Sequence, residues 1–335
     1  MIIVKAPLRI SFIGGGTDLP DFYKDTPGKV ISATIDKYVL TAINPAPLLK
    51  GITARYSKSE TVKRAKDLKN DRIREVMLRF GIEDYLEIGI FSHMPVGTGL
   101  GGSSAFTVSL IKGLSAYLGK RLDKKEIAEI ACEIEINTLK EPIGKQDQYA
   151  AALGGFNKIQ FNSDGSVKAE PLLIDYKTRI DLEKNMVVFF TGITRSAAGV
   201  LTEQNNRTVV NRKSLNSLLG LVDIFGRKLA RGNFKAMGEI LNESWMIKRK
   251  LASKISTEQI DKLYETGIKN GSWGGKILGA GGGGCILFLV SEKRKEELKE
   301  AITAQAKKLK LDDFKEVPIR FVHTGVEIVS NTLFN

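Results

Sequence analysis

Pro95-Val96-Gly97-Thr98-Gly99-Leu100-Gly101-Gly102-Ser103-Ser104-Ala105 follows an apolar run and opens a long amphipathic segment. Four of the six residues from Gly97 to Gly102 are glycines. That composition strips Cβ atoms from one side of a loop and lets a polyanion approach backbone N–H groups. Ser103 and Ser104 end the loop where a helix N-cap is expected. A helix is predicted over about residues 105–118, where Phe106, Leu110, Leu114 and Leu118 recur at i+4. A glycine loop feeding a helix N-terminus gathers orphan N–H groups at the positive end of the dipole, and both favour phosphate. Other readings compete. Gly97, Gly99 and Gly102 fit the dinucleotide fingerprint G-x-G-x-x-G, which needs an acidic residue about 20 positions on. Asp123 has that distance, but Asp123-Lys124-Lys125-Glu126 is a capping box opening another helix. The Walker A pattern is absent, since no lysine follows these glycines. A phosphate cradle is favoured, with a tight packing turn as the bland alternative.

The rest of the chain sets bounds. Its 335 residues suffice for one large or two ordinary domains. A hydrophobic content of 42% and a charged content of 27% suit a soluble globular protein. No run of about 18 apolar residues calls for a membrane span. Met1-Ile2-Ile3-Val4-Lys5 lacks the basic region and cleavage site of a leader. Cys132 and Cys285 sit in apolar contexts, as buried free thiols do, so a cytoplasmic location is expected. With His93 and His323 as the only histidines, a His-based zinc site or a Ser-His-Asp triad is disfavoured. The net charge of +13 could point to a polynucleotide, but the lysines are scattered among acids, as in Ser291-Glu292-Lys293-Arg294-Lys295-Glu296-Glu297. An electrostatic funnel for phosphorylated small molecules is expected, without nucleic-acid or membrane partners. A non-enzymatic nucleic-acid-binding protein remains the rival from a different class.

Along the chain, residues 1–13 read as one strand or two, interrupted at Pro7. Residues 30–35 and 38–43 read as a hairpin turning at Asp36-Lys37. A short strand is predicted near 55–57, a helix over 71–80 and a strand over 86–92. A helix over 123–139 carries Glu135 and stops at Glu141-Pro142-Ile143-Gly144. A short helix over 145–151 carries Asp147, and strands over 156–161 and 166–173 flank an Asp164-Gly165 turn. A charged link over 176–185 precedes the buried strand 186–190. The boundary is placed there, giving domains 1–182 and 183–335. Helices are predicted over 196–205, 213–231, 234–250, 257–270 and 293–310, and strands over 285–290, 318–322 and 325–329.

Glycine tracts occur at 14–16, 97–102 and 279–284, each beside strand-like sequence. Asp147 is a candidate base and Glu135 a helical acid. Phosphoryl transfer asks for such parts: a phosphate cradle, an acid and a hydroxyl for Mg²⁺, a cation for developing charge and a base near the acceptor hydroxyl. Ala6-Pro7-Leu8-Arg9-Ile10-Ser11-Phe12, then 95–105, then 276–285 follow in order, and over nearly its whole length the chain resembles the GHMP kinases. The resemblance implies a two-domain α+β fold. Its N-terminal domain would hold a left-handed βαβ unit, its C-terminal domain would be ferredoxin-like, and the active site would lie in the cleft. It also implies that Pro95, Gly97, Thr98, Gly99, Leu100, Gly101, Gly102, Ser103 and Ser104 hold ATP. Gly102 replaces the first serine of the family's P-x-x-x-G-L-G-S-S-A, so Ser103 falls on the second and is the implied Mg²⁺ ligand with Glu135.

Pro142-Ile143-Gly144-Lys145-Gln146-Asp147-Gln148 looks like the galactokinase pattern that carries the catalytic base, which makes Asp147 that base and Arg9 its basic partner. Gly14-Gly15-Gly16-Thr17-Asp18 resembles the heptose 7-phosphate kinase and fucokinase branch more than galactokinase, whose glutamate and histidine are missing here. Gly15, Gly16, Thr17, Asp18, Gly281 and Gly282 are the implied acceptor contacts. Lys145, Arg195 and Lys248 are the candidate cations for an acceptor phosphate. The implied activity is Mg-ATP-dependent phosphorylation of the anomeric hydroxyl of a heptose 7-phosphate, giving the 1,7-bisphosphate, with a free-sugar kinase acting on, for example, L-fucose as the rival. Oligomeric state stays open between monomer and homodimer. Blander roles stand beside these: Asp147 as a helix cap, Glu135 as a solvated acid, Arg9 as a structural ion pair, and Trp245 and Trp273 as packing.

Overall fold

A computed structural model describes residues 1–194 and 197–333. The first sheet is built from β1 (Ile2–Ile13), β2 (Gly28–Pro45), β3 (Ile52–Arg55), β4 (Ser59–Val62), β5 (Leu86–Ser92), β6 (Phe156–Phe161) and β7 (Val167–Pro171). The second holds β8 (Met186–Phe190), β9 (Ser272–Ile277), β10 (Cys285–Val290) and β11 (Lys315–Glu316), and β12 (Glu327–Asn331) returns to the first. The helices are α1 (Pro20–Tyr23), α2 (Asp71–Arg79), α3 (Gly102–Tyr117), α4 (Lys124–Cys132), α5 (Gln146–Leu153), α6 (Tyr176–Lys184), α7 (Ala197–Asn206), α8 (Thr208–Ala230), α9 (Phe234–Lys248), α10 (Glu258–Lys269) and α11 (Lys295–Lys308). No helix among the described residues is long and apolar enough to cross a membrane.

The first sheet runs β12-β1-β2-β5-β3-β4, with β6 and β7 continuing from the other half of β2. The hairpin expected at Asp36-Lys37 does not form. β2 is one 18-residue strand whose first half pairs with β6 and whose second half pairs with β5. Pro7 pairs Tyr38 and Leu8 pairs Ile35, so Asp36 and Lys37 are squeezed out as a bulge. Pro7 has no N–H to give the ladder, which makes its position the least costly place to break register. The bulge is held by Arg320, whose carbonyl accepts from the Asp36 N–H at 2.9 Å. β3 and β5 are parallel, joined through β4 and α2. The strand expected over 318–322 is reduced to a single bridge between Phe321 and Ile35.

The second sheet is antiparallel, ordered β11-β8-β10-β9. Its strand β10 is buried along its whole length, as an apolar Cys-Ile-Leu-Phe-Leu-Val run requires. The charged link expected over 176–185 is instead helix α6, capped by the Asp175 carboxylate accepting from Thr178 N–H at 2.7 Å. One apolar core spans the first sheet and the face of the second that carries Val188, Phe190, Leu287 and Leu289, and another covers the opposite face with Val187, Phe189, Ile286 and Phe288. Helix α8 packs on β1 and β2 as well as on α9, so the second half of the chain is fastened to the first sheet. Cys132 and Cys285 are buried and unpaired.

Candidate functional site

The site forms where β1, the start of α3, the start of α5 and the glycine tract before β10 converge. Arg9 sits in the alternating register of β1, 3% exposed. Its Nε donates to Asp147 Oδ1 and its Nη2 to Asp147 Oδ2, both at 2.7 Å. Its Nη1 donates to the Gly99 carbonyl at 2.7 Å, and its backbone N–H to the Leu100 carbonyl at 2.9 Å. One arginine therefore fixes the carboxylate at the head of α5 and the loop at the head of α3. Three of its five N–H donors are spent this way, leaving two for a bound anion.

The loop is polarised. The carbonyls of Thr98, Gly99, Leu100 and Gly101 accept from Cys285 N–H, Arg9 Nη1, Arg9 N–H and Ala105 N–H respectively. The amides of the same four residues take no partner from the chain among the described residues. With its oxygens turned to the protein and its N–H groups free at the start of α3, the loop has the character of an anion nest. Pro95, Gly97 and Ser103 are exposed, and Gly102 is half-buried. The third glycine tract supports this loop from behind. A Cβ on Gly99, whose φ is +75°, would stand 2.3 Å from the Leu278 carbonyl oxygen. One on Gly284 would meet the Thr98 carbonyl at 2.6 Å.

Beyond the Arg9–Asp147 pair lies a small, partly open pocket of about 70 Å³ lined by Ser11, Gly15, Gly16, Asp18, Gln146 and Lys248 among others. The Ser11 hydroxyl donates to Gln146 Oε1 at 2.7 Å, and Gln146 Nε2 donates to Asp18 Oδ2 at 2.8 Å. Asp18 also accepts from the Gly16 N–H at 2.9 Å. Burial pushes the Asp18 carboxyl above its ordinary range, against the pull of those two hydrogen bonds. Lys248 donates to the Gly279 carbonyl at 2.6 Å. Burial brings its amine down to about 8, with Asp18 pulling it up and Arg9 pushing it further down. A far larger cavity, about 790 Å³, opens at the other end of α5 beside Phe156 and Leu172. None of its lining residues belongs to the smaller pocket.

Several expected contacts are placed elsewhere. The Thr17 hydroxyl donates to the Gly14 carbonyl at 2.8 Å and accepts from Lys29 N–H at 3.0 Å, so it pins the turn rather than facing the pocket. Lys145 donates to the Gly165 carbonyl at 2.6 Å and lies over the Tyr23 ring, outside the pocket. Gly281 and Gly282 pack on Ile255, whose carbonyl accepts from Gly282 N–H at 2.7 Å, and Gly279 and Ala280 take their place in the pocket wall. Arg195 lies outside the described residues.

The Mg²⁺ pair does not assemble as the sequence implied. Glu135, on a π-helical turn over Glu133–Thr138, is 0% exposed. Its carboxylate accepts from Ser104 Oγ at 2.8 Å, Thr107 Oγ1 at 2.5 Å and Gln148 Nε2 at 2.5 Å, with Arg72 Nε at 3.5 Å. A carboxylate so enclosed, beside a guanidinium, offers no lone pair to an ion in the cleft. The exposed Ser103 hydroxyl is not among its partners. Glu135 thus ties α3, α5 and its own helix together, and the described residues hold no cluster of three metal-ligating side chains.

Ser104, expected on the nucleotide, instead gives its hydroxyl to Glu135, and sequence reasoning missed Gln146, Thr107, Gln148 and the buried Lys276. The last donates to the Ser11 and Phe12 carbonyls at 3.0 and 3.1 Å, lacing β9 to β1. Burial and the nearby Lys248 and Arg9 charges push its amine well below its ordinary value. Only the lysine at the head of the third glycine tract could have signalled it.

Comparison with known proteins identifies the family. The GHMP kinases N terminal domain matches residues 61–155 and the GHMP kinases C terminal domain matches residues 227–308. A D-glycero-alpha-D-manno-heptose 7-phosphate kinase of Campylobacter jejuni is 33% identical over 90% of this chain and 93% of its own. A galactokinase of Thermotoga maritima is 27% identical over 89% of this chain and 93% of its own. The crystal structure of a D-glycero-D-manno-heptose 1-phosphate kinase from Bacteroides thetaiotaomicron superposes with a TM-score of 0.81 over 99% of both chains at 24% identity, a likeness of fold. A glycine loop with its amides free, an arginine-clamped aspartate beside it and these likenesses lead to one assignment: the chain belongs to the GHMP kinases and is a sugar kinase, a phosphotransferase.

Proposed function

We propose that this kinase transfers the γ-phosphoryl group of ATP to the anomeric hydroxyl of D-glycero-D-manno-heptose 7-phosphate, giving the 1,7-bisphosphate. The observation that carries this is the double role of Arg9, which joins the amide-lined loop to Asp147 at the mouth of the acceptor pocket. The heptose 7-phosphate kinase of C. jejuni supports the choice of acceptor. In this reading the loop amides of 98–101 and the α3 N-terminus hold the nucleotide phosphates. Asp147 orients the C1 hydroxyl and takes its proton as the O–P bond forms. The two unused donors of Arg9 offset charge on the phosphoryl oxygens in flight. Lys248 and Asp18 hold the sugar. Mg²⁺ belongs to the reading only as the companion of ATP on its own phosphates, with Ser103 the accessible hydroxyl and Glu135 not a ligand.

A free sugar is the second reading. It is favoured by the placement of Lys145 away from the pocket, which leaves Lys248 and Arg9 as the cations lining it among the described residues. The L-fucokinase/L-fucose-1-P guanylyltransferase of Bacteroides fragilis is 25% identical over 86% of this chain, although the match covers 34% of that longer protein. Release of ADP from Mg-ATP would be followed with the heptose 7-phosphate, the unphosphorylated heptose, L-fucose, galactose and mevalonate. Selective turnover of the 7-phosphate is expected. Turnover of a free sugar with the 7-phosphate inert would overturn the choice of acceptor and leave the kinase chemistry in place.

A further inference from the structure

Besides the spare donors of Arg9, the acceptor pocket is lined by a buried polar atom that makes no hydrogen bond at all among the described residues. Gln204, on α7, is 2% exposed, and its Nε2 has no hydrogen-bond partner among the described residues. Buried side-chain amides are nearly always paired, because an orphan donor keeps the full cost of leaving water. The backbone at Gln204 is satisfied: its carbonyl accepts from Arg207 N–H at 3.2 Å and from the Thr208 hydroxyl at 3.3 Å. Nε2 is the atom left without a bond, and the side chain lines the same pocket as Arg9, Asp18, Asp147 and Lys248.

Its surroundings are arranged to admit it. Gly16, at φ +103°, lies directly across, and a Cβ there would stand 2.5 Å from Gln204 Nε2. Any side chain at 16 would displace the amide or close the pocket over it. The neighbouring donor atoms each make at least one bond within the protein, Ser11 Oγ to Gln146, Gln146 Nε2 to Asp18 and Lys248 Nζ to the Gly279 carbonyl, whereas Gln204 Nε2 makes none. The unpaired N–H₂ is therefore a donor held ready for a ligand oxygen, contributed by the second half of the chain to a pocket whose reacting groups come from the first.

We propose that Gln204 is a specificity-determining residue of acceptor binding, donating a hydrogen bond from Nε2 to an oxygen of the sugar acceptor, a ring hydroxyl or a phosphate oxygen. The proposal rests on the sugar-kinase reading of the pocket and requires of the substrate only an oxygen at that end. Gln204 is not part of the reacting set, which is Asp147 and Arg9.

The test is Gln204→Met, which keeps length and volume and removes the donor. The acceptor KM is expected to rise by about tenfold, the worth of one well-made hydrogen bond. Kcat at saturating acceptor and the KM for ATP are expected to stay near wild type. Tm should hold or rise, because the orphan amide is gone. A packing residue would show the reverse, a lower Tm with an unchanged acceptor KM, and that result would overturn the proposal. Gln204→Ala, run beside it, should raise KM to the same extent although it lowers Tm. The assay uses the heptose 7-phosphate and the unphosphorylated heptose in parallel. A KM rise on both assigns the bond to a hydroxyl, and a rise confined to the 7-phosphate assigns it to the phosphate. Should the wild type turn over neither but accept another free sugar, the choice of heptose fails alone, and the same comparison on that sugar decides Gln204. Silence on every sugar overturns both.

Discussion

Asp147 and Lys248 meet the same pocket with opposite charges, and each makes a separate prediction. Asp147→Asn keeps the shape of the side chain but removes the proton acceptor and weakens the Arg9 clamp. Kcat is expected to fall by about 10²- to 10⁴-fold, with ATP affinity changed little. Near-normal turnover of a folded Asp147→Asn enzyme would remove it from the chemistry. Burial brings the Lys248 amine down to about 8 from its ordinary 10.5. Its positive charge is present below that value and lost as pH rises through it. Kcat/KM for the acceptor should therefore decline above about pH 8, and Lys248→Met should lack that limb. The effect of Lys248 on stability has the opposite sign. Between 8 and 10.5 the unfolded lysine binds more protons than the folded one, so this group makes the fold more stable as pH rises there. Glu135 supplies the contrast. It accepts from three buried donors, and Glu135→Ala should cost on the order of 3 kcal/mol through the donors left unpaired. The measurement is a denaturant titration set beside the Mg²⁺ dependence of turnover. A large shift in Mg²⁺ dependence with unchanged stability would restore Glu135 as an ion ligand.

At the scale of elements, the phosphate loop is shaped by another loop rather than by its own strand and helix. The loop over 97–102 and the tract before β10 press so closely together that neither Gly99 in the one nor Gly284 in the other has room for a Cβ. Gly99→Ala would bring a methyl to 2.3 Å from the Leu278 carbonyl, at a φ that alanine disfavours. A loss of about 2–4 kcal/mol in stability and a rise in the KM for ATP are expected, read by thermal melts and initial rates. Unchanged values would mean that the two tracts can part freely. The α3 helix and its i+4 stripe were readable from the sequence, because local periodicity decides them. The bulge at Asp36 and Lys37 was not. Two adjacent polar residues between strands read as a turn until the partner strand, with Pro7 opposite, shows that the ladder continues past them.

For the whole molecule, the end of the chain closes the edge of the sheet that carries the site. β12 pairs with β1, running from Ile2 opposite Asn331 to Lys5 opposite Glu327, and the Lys5–Glu327 ion pair at 2.7 Å reinforces it. Removing residues 324–335 would bare the β1 edge and an apolar face beneath it. Such a truncation should lower Tm by several degrees and promote aggregation, measured by light scattering during a thermal ramp. Equal stability would show that β12 is dispensable. The return of β12 also qualifies a division at 182/183 by sequence position. The second sheet is confined to residues from Met186 to Glu316, while the last strand belongs to the first sheet.

By itself the sequence determined the chemistry-bearing backbone: three glycine tracts, Arg9, Asp147 and the helices behind them. Those features are local, set by the lack of a Cβ, by caps and by apolar spacing over a few residues. Tertiary structure alone decided which polar side chains line the pocket beside Asp147. Lys145 and Gln146 are neighbours at the start of one helix, yet one reaches the Gly165 carbonyl and the other Asp18. Glu135 had the spacing of an ion ligand but is enclosed by Ser104, Thr107 and Gln148. Gln204, nearly 190 residues from Gly16, enters the pocket only because α7 is carried there by the second half of the fold. A side chain's direction depends on what packs behind it, and contacts between distant segments leave no periodic trace in the chain.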